Sequence, residues 1–90
     1  MEFEWDETKR QTNLSKHGSD FIDACGVFDG RSRLDKTSPR DDEARVQSTA
    51  RLGHRLVTVV WTERGQGTVR LISARRARDG EERAYRRIFG

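Results

Sequence analysis

Residues 61–76 constrain the fold most, because they read as the end of one strand, a tight turn and a complete second strand. The preceding run, residues 56–61, is rich in β-branched and aromatic side chains, which suit a pleated, half-buried surface. Gly65 and Gly67 permit the positive φ angles that a tight hairpin needs. From residue 69 to residue 75 apolar and polar residues partly alternate, as in a strand. We therefore expect a β-sheet built around this hairpin.

The same hairpin concentrates positive charge, with Glu63 as the one acidic residue in residues 61–76. The arginines on it or at its end are Arg64, Arg70, Arg75 and Arg76. A guanidinium presents a planar fork of donors to phosphate oxygens, so the hairpin indicates a phosphate-handling surface. If the strand stays regular, alternation places Arg70 and Arg76 on one face and Arg75 on the other; a bulge would change this.

Length and charge limit the class of protein. A chain of 90 residues predicts one domain over residues 1–90. Apolar residues make up 32% and charged residues 37%, so the core is thin and the fold should gain stability from a partner. The net charge is −3 for residues 1–45 and +6 for residues 46–90, which makes a polyanion the natural ligand.

Several classes are disfavoured by what the sequence lacks. Cys25 is the single cysteine, which excludes an internal disulfide and suits a small core residue. His17 and His54 do not complete any recognised zinc spacing with it, and we expect no metal or cofactor. No apolar run approaches the roughly 20 residues of a membrane span, and no signal peptide opens the chain. We expect a cytoplasmic protein without membrane contact.

The N-terminal residues predict a short strand followed by a helix. Residues 2–5 alternate polar and apolar side chains. Asp6 is a good N-cap for a helix over Glu7–His17 that stops at Gly18. Four polar residues fall close to one face of this helix: Lys9, Asn13, Lys16 and His17. They form either a solvated face with cations at the helix end or a row of donors for RNA phosphates.

A second helix should begin after Asp20 and end near Gly30. Its inward stripe consists of Phe21, Cys25 and Phe28. Gly26 weakens this helix, which indicates that another part of the chain packs closely there. Residues 31–43 follow as a polar connection that includes the only proline, Pro39.

The remaining residues predict two more strands and a helix around the hairpin. Residues 44–52 alternate as a strand, Gly53 and His54 supply a turn, and residues 55–62 form the central strand. Residues 81–89 form the last helix. The predicted fold class is α+β, with a short N-terminal strand, two helices, an antiparallel three-stranded meander and a C-terminal helix. The helices should cover one sheet face and leave part of the other open.

Taken together, the short motifs of this chain resemble those of the BrnT family of bacterial type II toxins. The matching residues are 3–7, Lys9, Asn13, 16–18, Phe21, Ala24, 27–29, 62–65, 70–75, Glu82, Arg83 and Tyr85. The resemblance implies a RelE-like fold and a ribonuclease activity that arrests translation. It also implies a cognate BrnA-type antitoxin with a ribbon-helix-helix part. Operator DNA would then be bound only through the antitoxin.

Metal-free RNA cleavage uses the substrate's own 2′-hydroxyl as nucleophile and needs a base, an acid and cations. Glu63 is the candidate base because neighbouring arginines would keep its carboxylate ionised. Arg64, the next residue, is also a candidate catalytic residue. Either His17 or Tyr85 would act as the acid or orient the substrate. The candidate RNA-binding cations are Lys9, Lys16, Arg70, Arg75 and Arg76.

Structural roles compete with each of these assignments. Glu63 and Arg64 also suit a salt pair in a turn. His17 also suits a cation at a helix end, and Tyr85 also suits core packing. Trp61 either stacks a base or packs in the sheet core. Two other functions stay open: a non-catalytic RNA-binding module, which binds RNA without cleaving it, and a protein-interaction domain, which binds an acidic partner and little RNA.

Overall fold

The computed structural model describes residues 1–40 and 43–90. Within them, five strands form one sheet that is combined with helices, so the expected α+β class is confirmed. The elements in chain order are β1 (Glu2–Glu4), α1 (Glu7–His17), α2 (Phe21–Ala24), a 3₁₀ helix (Cys25–Phe28), β2 (Arg33–Arg40), β3 (Glu43–Leu52), β4 (Arg55–Arg64), β5 (Thr68–Arg76) and α3 (Asp79–Phe89). The strand order in the sheet is β1-β5-β4-β3-β2, and only the β1–β5 pair is parallel.

Strand β2 corrects the expected polar connection over residues 31–43. Residues 33–40 pair with β3 in antiparallel register, so the meander has four strands instead of three. Positions 41 and 42 lie outside the described residues. Because β2 is an edge strand, its polar side chains and Pro39 are tolerated there, and it lacks the apolar alternation that marks a buried strand.

A β-bulge interrupts the pairing of β4 with β5. Val60 pairs with Ser73 and Trp61 pairs with Leu71, so Ile72 is an extra residue on β5. The bulge reverses the side-chain alternation beyond it. Consequently Ala74, like Leu71, lies on the sheet face that carries Trp61.

Helix α1 forms where its local signals predict it. The Asp6 carboxylate accepts hydrogen bonds from the backbone N–H groups of Thr8 and Lys9 at 2.9 and 3.2 Å, and Gly18 ends the helix with φ of 69°. Arg10 then connects the helix to the start of α2, because its guanidinium donates two hydrogen bonds of 3.0 Å to Asp20. The chain thus turns sharply between the two helices.

The second helix is shorter than expected. It ends as α-helix at Ala24 and continues as one 3₁₀ turn, Cys25–Phe28. A Cβ atom at Gly26 would lie 3.3 Å from Leu52 Cδ1, so the close packing predicted at this glycine is confirmed. The glycine lets the 3₁₀ turn approach β3.

The main core lies between these short helices and one face of the sheet, which we call the first face. Phe21, Val27 and Val59 are fully buried at its centre. The other buried members of this cluster are Ala24, Ala50, Val57, Val69, Leu71 and Ala74. Phe3, Trp5 and Trp61 are partly buried against it and extend it towards the β4–β5 turn.

Helix α3 lies on the opposite face of the sheet, which we call the second face. Its Glu81 accepts a hydrogen bond of 2.9 Å from Thr58, a residue of that face. The expectation that all helices share one face is therefore wrong for α3, which also begins at Asp79, two residues earlier than predicted. Part of the second face stays open beside α3. In the described part of the chain no helix is long and apolar enough to cross a membrane.

Candidate functional site

The end of the β4–β5 hairpin presents a carboxylate and an arginine on opposite faces. Glu63 pairs with the buried Val69, so its exposed side chain lies at the rim of the first face. No ion pair or side-chain hydrogen bond joins Glu63 to another described residue. Arg64 pairs with Thr68 on the second face, and its side chain is 60% exposed. The two predicted catalytic neighbours are adjacent in sequence without forming a salt pair.

Glu4 is the carboxylate that the structure places between arginines. Its oxygens lie 3.7 Å from Arg64 Nε and 3.6 Å from Arg70 Nη1. These distances are longer than hydrogen bonds, and the Glu4 side chain is 38% exposed. No local pattern in the sequence predicts this contact, because it depends on the parallel pairing of β1 with β5.

Arg75 is held in one orientation by Glu81 of α3. Its Nη1 and Nη2 atoms donate to the two carboxylate oxygens at 2.7 and 2.9 Å, and its side chain is only 11% exposed. The same carboxylate accepts from the Thr58 hydroxyl at 2.9 Å and from the Arg78 backbone N–H at 2.8 Å. The hydrogen bonds from Arg75 lower the pKa of Glu81 to about 2, and the pKa of Arg75 is raised in turn.

The bulge decides which arginines share a surface. Arg70 pairs with Thr62 and Arg75 pairs with Thr58, so both lie on the second face, as does Arg64. Arg76 pairs with the buried Val57 and lies exposed on the first face. The regular alternation that would join Arg70 to Arg76 is therefore not realised.

The cations predicted on α1 remain at the surface. Lys9, Lys16 and His17 are exposed, whereas Asn13 is 8% exposed and bonds to the backbone of β5, so it is not a donor for RNA. Gly18, next to His17, lines the same cavity as Val57. Glu63 lies six positions after Val57 along β4, about 20 Å at the rise of a strand. The structure does not bring His17 and Glu63 together.

Tyr85 is also distant from Glu63. It is 6% exposed in α3, and its ring centroid lies 4.9 Å from that of Phe89. One helical turn separates it from Glu81, which contacts Thr58, and Thr58 lies five residues from Glu63 along β4, about 16 Å. Tyr85 thus packs at the α3 side of the second face.

Trp61 belongs to an aromatic cluster at the rim of the first face. Its ring meets that of Phe28 edge-on at 5.2 Å, and the Arg33 guanidinium lies over both rings. Its indole Nε1–H donates to Ser48 Oγ at 2.7 Å, and Ser48 donates to Asp35 at 2.6 Å. Trp61 therefore has its polar atom satisfied inside the fold.

No cluster of three or more His, Cys, Asp or Glu residues suited to a metal ion occurs among residues 1–40 and 43–90. Cys25 is half-buried and donates to the Phe21 carbonyl at 3.3 Å. Burial raises the pKa of its thiol, which suits the packing role expected for it.

Comparison with known proteins places this geometry in a family. Residues 5–81 match the family described as ribonuclease toxin, BrnT, of type II toxin-antitoxin system. The fold is similar to the 1.1 Å crystal structure of the Brucella abortus ribonuclease toxin, BrnT, with a TM-score of 0.69 and 32% sequence identity. That match covers 88% of this chain and 99% of the Brucella chain. A search of curated proteins found no match. The chain belongs to the BrnT family of ribonuclease toxins.

Proposed function

We propose that this chain is a metal-independent endoribonuclease that acts as the toxin of a type II toxin–antitoxin system and inhibits translation. Its family supports the ribonuclease part of the proposal. The observation that carries the site is the hairpin end, where the exposed Glu63 carboxylate has no ion-pair partner among the described residues and adjoins Arg64. A carboxylate that is not engaged elsewhere is available to take a proton.

The proposed chemistry needs only groups that the hairpin, the substrate and the solvent supply. Glu63 takes the proton of the RNA 2′-hydroxyl, and the 2′-oxygen attacks the adjacent phosphorus. The bond to the 5′-oxygen breaks, the leaving oxygen takes a proton from solvent, and a 2′,3′-cyclic phosphate remains. Arg64, the next residue along the strand, has an exposed guanidinium that stabilises the charge developing on the phosphorane oxygens in this proposal.

The remaining predicted residues act away from the scissile phosphate in this proposal. His17, Lys9 and Lys16 contact flanking RNA from the exposed surface of α1. Tyr85 supports the substrate surface indirectly by packing α3 against the sheet. In this proposal neither His17 nor Tyr85 transfers a proton at the phosphate on which Glu63 acts.

We also assign the chain a cognate antitoxin as its protein partner, because its family is defined by toxin–antitoxin pairs. In this proposal the antitoxin is of the BrnA type and carries a ribbon-helix-helix part. Operator DNA is then bound only through the antitoxin. Co-expression of the toxin with a small neighbouring gene product, followed by co-purification, tests this assignment.

The cleavage experiment uses purified protein, total RNA and EDTA. Glu63→Gln should reduce the cleavage rate by about 10²–10⁴-fold, since it removes the general base without changing side-chain size. Arg64→Ala tests charge stabilisation in the same assay. The matched control is Glu2→Gln, which makes the same charge change at an exposed residue of β1 beside the same turn.

Three other outcomes would each contradict part of the proposal. Equal cleavage by the parent and the folded Glu63→Gln variant would remove Glu63 from the mechanism. Cleavage that disappears in EDTA would exclude the metal-independent chemistry. RNA that is bound but left intact, in buffer and in a translating extract, would identify a non-catalytic RNA-binding module.

A further inference from the structure

A groove crosses the part of the second face that α3 leaves open. Its volume is about 230 Å³, and its floor is formed by Val60 and Ile72. Its polar wall consists of Ser38, Arg45, Gln47, Ser73, Arg75 and Arg78. Of these residues, only Arg75 was a candidate from the sequence.

The groove combines three arginines, and no carboxylate is among the described residues that line it. Arg45 comes from β3, Arg75 from β5 and Arg78 from the start of α3, so three separate elements converge on it. The serine hydroxyls and the Gln47 amide add uncharged hydrogen-bonding groups. Such a set of donors, in a concave site, fits an oxyanion such as a phosphate group.

Arg75 is fixed before any ligand arrives. Glu81 accepts from two of its terminal nitrogens, which leaves other N–H groups of the five on a guanidinium available to the groove. A side chain that is already held in place loses little conformational entropy on binding. Glu81 is therefore a positioning residue for this surface.

The surface beyond the groove favours a polymer over a single phosphate. Arg70 and Arg64 continue the positive charge along the same face towards the hairpin end. The β4 partners of Arg75 and Arg70 are four residues apart, which separates the two arginines by about 13 Å. The aliphatic floor offers an apolar surface for a ribose or a base.

We propose that this groove binds one backbone phosphate of single-stranded RNA between Arg45, Arg75 and Arg78. The RNA then runs over the second face towards Arg70 and Arg64, where the hairpin end meets the scissile phosphate. This inference rests on the proposed function, because it assumes an RNA substrate.

The test measures binding of a fluorescein-labelled 2′-O-methyl RNA oligonucleotide of mixed sequence by anisotropy. This probe lacks the 2′-hydroxyl nucleophile, so binding is separated from cleavage. Arg78→Ala and Arg45→Gln should each weaken binding on the order of tenfold and reduce the slope of log K against log salt by about one. Arg87→Ala, an equal charge change on an exposed residue of α3, is the control and should alter affinity less than about twofold.

Melting temperatures establish that each variant is folded, and the exposed Arg78 carries the test if Arg45→Gln does not fold. An equal loss of RNA affinity in all three variants would mean that the RNA is attracted by the overall positive charge of the protein. That result would overturn the groove assignment. Unchanged RNA affinity together with lost antitoxin capture would reassign the groove to the protein partner. If the parent protein cleaves total RNA but does not bind the probe in 50 mM salt, the groove assignment alone is overturned. If the parent protein neither cleaves RNA nor binds the probe, the proposed function is overturned as well.

Discussion

Asn13 and Ala74 exchange two hydrogen bonds, so that one side chain of α1 replaces a missing strand. The Asn13 Nδ2 atom donates to the Ala74 carbonyl at 2.7 Å, and its Oδ1 atom accepts from the Ala74 N–H at 3.3 Å. Strand β1 pairs only with residues 68–70 of β5, which leaves the edge of β5 open at Ala74. A side-chain amide presents one acceptor and N–H donors, as a neighbouring peptide group would.

Replacing this amide should destabilise the fold. Asn13→Leu leaves two buried backbone groups of Ala74 without partners, and we expect it to lower the free energy of unfolding by about 2–3 kcal/mol. Urea unfolding measures the change. Thr12→Ala, on the exposed side of the same helix, is the control. It should lower the free energy of unfolding by less than about 0.5 kcal/mol. Equal effects of the two substitutions would contradict the role given to Asn13.

The Arg75–Glu81 pair predicts a defined pH dependence of stability. The pKa of Glu81 is lowered from 4.5 to about 2 in the folded protein, so the stability it contributes is present above pH 4.5 and is lost as the pH falls towards 2. Glu81→Gln should therefore be less stable than the parent by about 1–2 kcal/mol above pH 4.5, and this difference should vanish near pH 2.

Denaturant unfolding of the parent protein and the Glu81→Gln variant between pH 7 and pH 2 tests this pH dependence of stability. Glu82→Gln is the control, because Glu82 and Arg86 form a surface pair whose side chains are 38% and 50% exposed. We expect that variant to differ from the parent by less than about 0.5 kcal/mol at every pH. A Glu81→Gln difference that stays constant down to pH 2 would contradict a contribution from the ionised carboxylate.

Gly80 offers a stabilising substitution in α3. It lies in the first turn of the helix, and a Cβ atom there would meet only the flexible end of Arg83, at 4.0 Å. Gly80→Ala should raise the free energy of unfolding by about 0.5–1 kcal/mol, because alanine loses less backbone entropy on forming a helix. Gly18→Ala should do the reverse, since φ at Gly18 is 69°. Thermal melts of the two variants should shift in opposite directions.

Glu4 should oppose RNA binding, because it is the carboxylate that lies beside Arg64 and Arg70. Glu4→Gln is expected to increase affinity for the 2′-O-methyl oligonucleotide about fivefold, which corresponds to about 1 kcal/mol. The free energy of unfolding should fall by less than about 1 kcal/mol, since the contacts of Glu4 with the two arginines are largely solvated. Anisotropy and urea unfolding measure both quantities. An affinity that falls would instead make Glu4 part of the RNA contact.

Local signals explain what the sequence predicted well. Helix α1 has the predicted bounds because Asp6 and Gly18 determine its ends through contacts within a few residues. The strands around the hairpin were recognisable because residues such as Val57 and Val59 are buried in the core. The loss of α-helical geometry after Ala24 was not predicted, although Gly26 pointed to the close packing that accompanies it.

Pairing between distant residues explains what the sequence did not predict. Strand β2 is polar because it is an edge, and its register comes from β3 rather than from its own pattern. The candidate site depends on similar distant contacts: Glu4 approaches Arg64 across the sheet, and Glu81 orients Arg75 from another element. Residue type identified the arginines, but the acidic partners of Arg64, Arg70 and Arg75 followed only from the fold.

The extra residue at Ile72 has a consequence for how this surface can change. Deleting it would exchange the sides of all residues that follow in β5, so Arg75 would move towards the apolar core and Ala74 would move to the solvent-facing groove. Substitutions alter the arginines one at a time, whereas this single deletion would dismantle the basic surface and the core together. A lineage that keeps the fold must therefore keep the chain length between Leu71 and Arg75, even where it is free to vary the side chains between them.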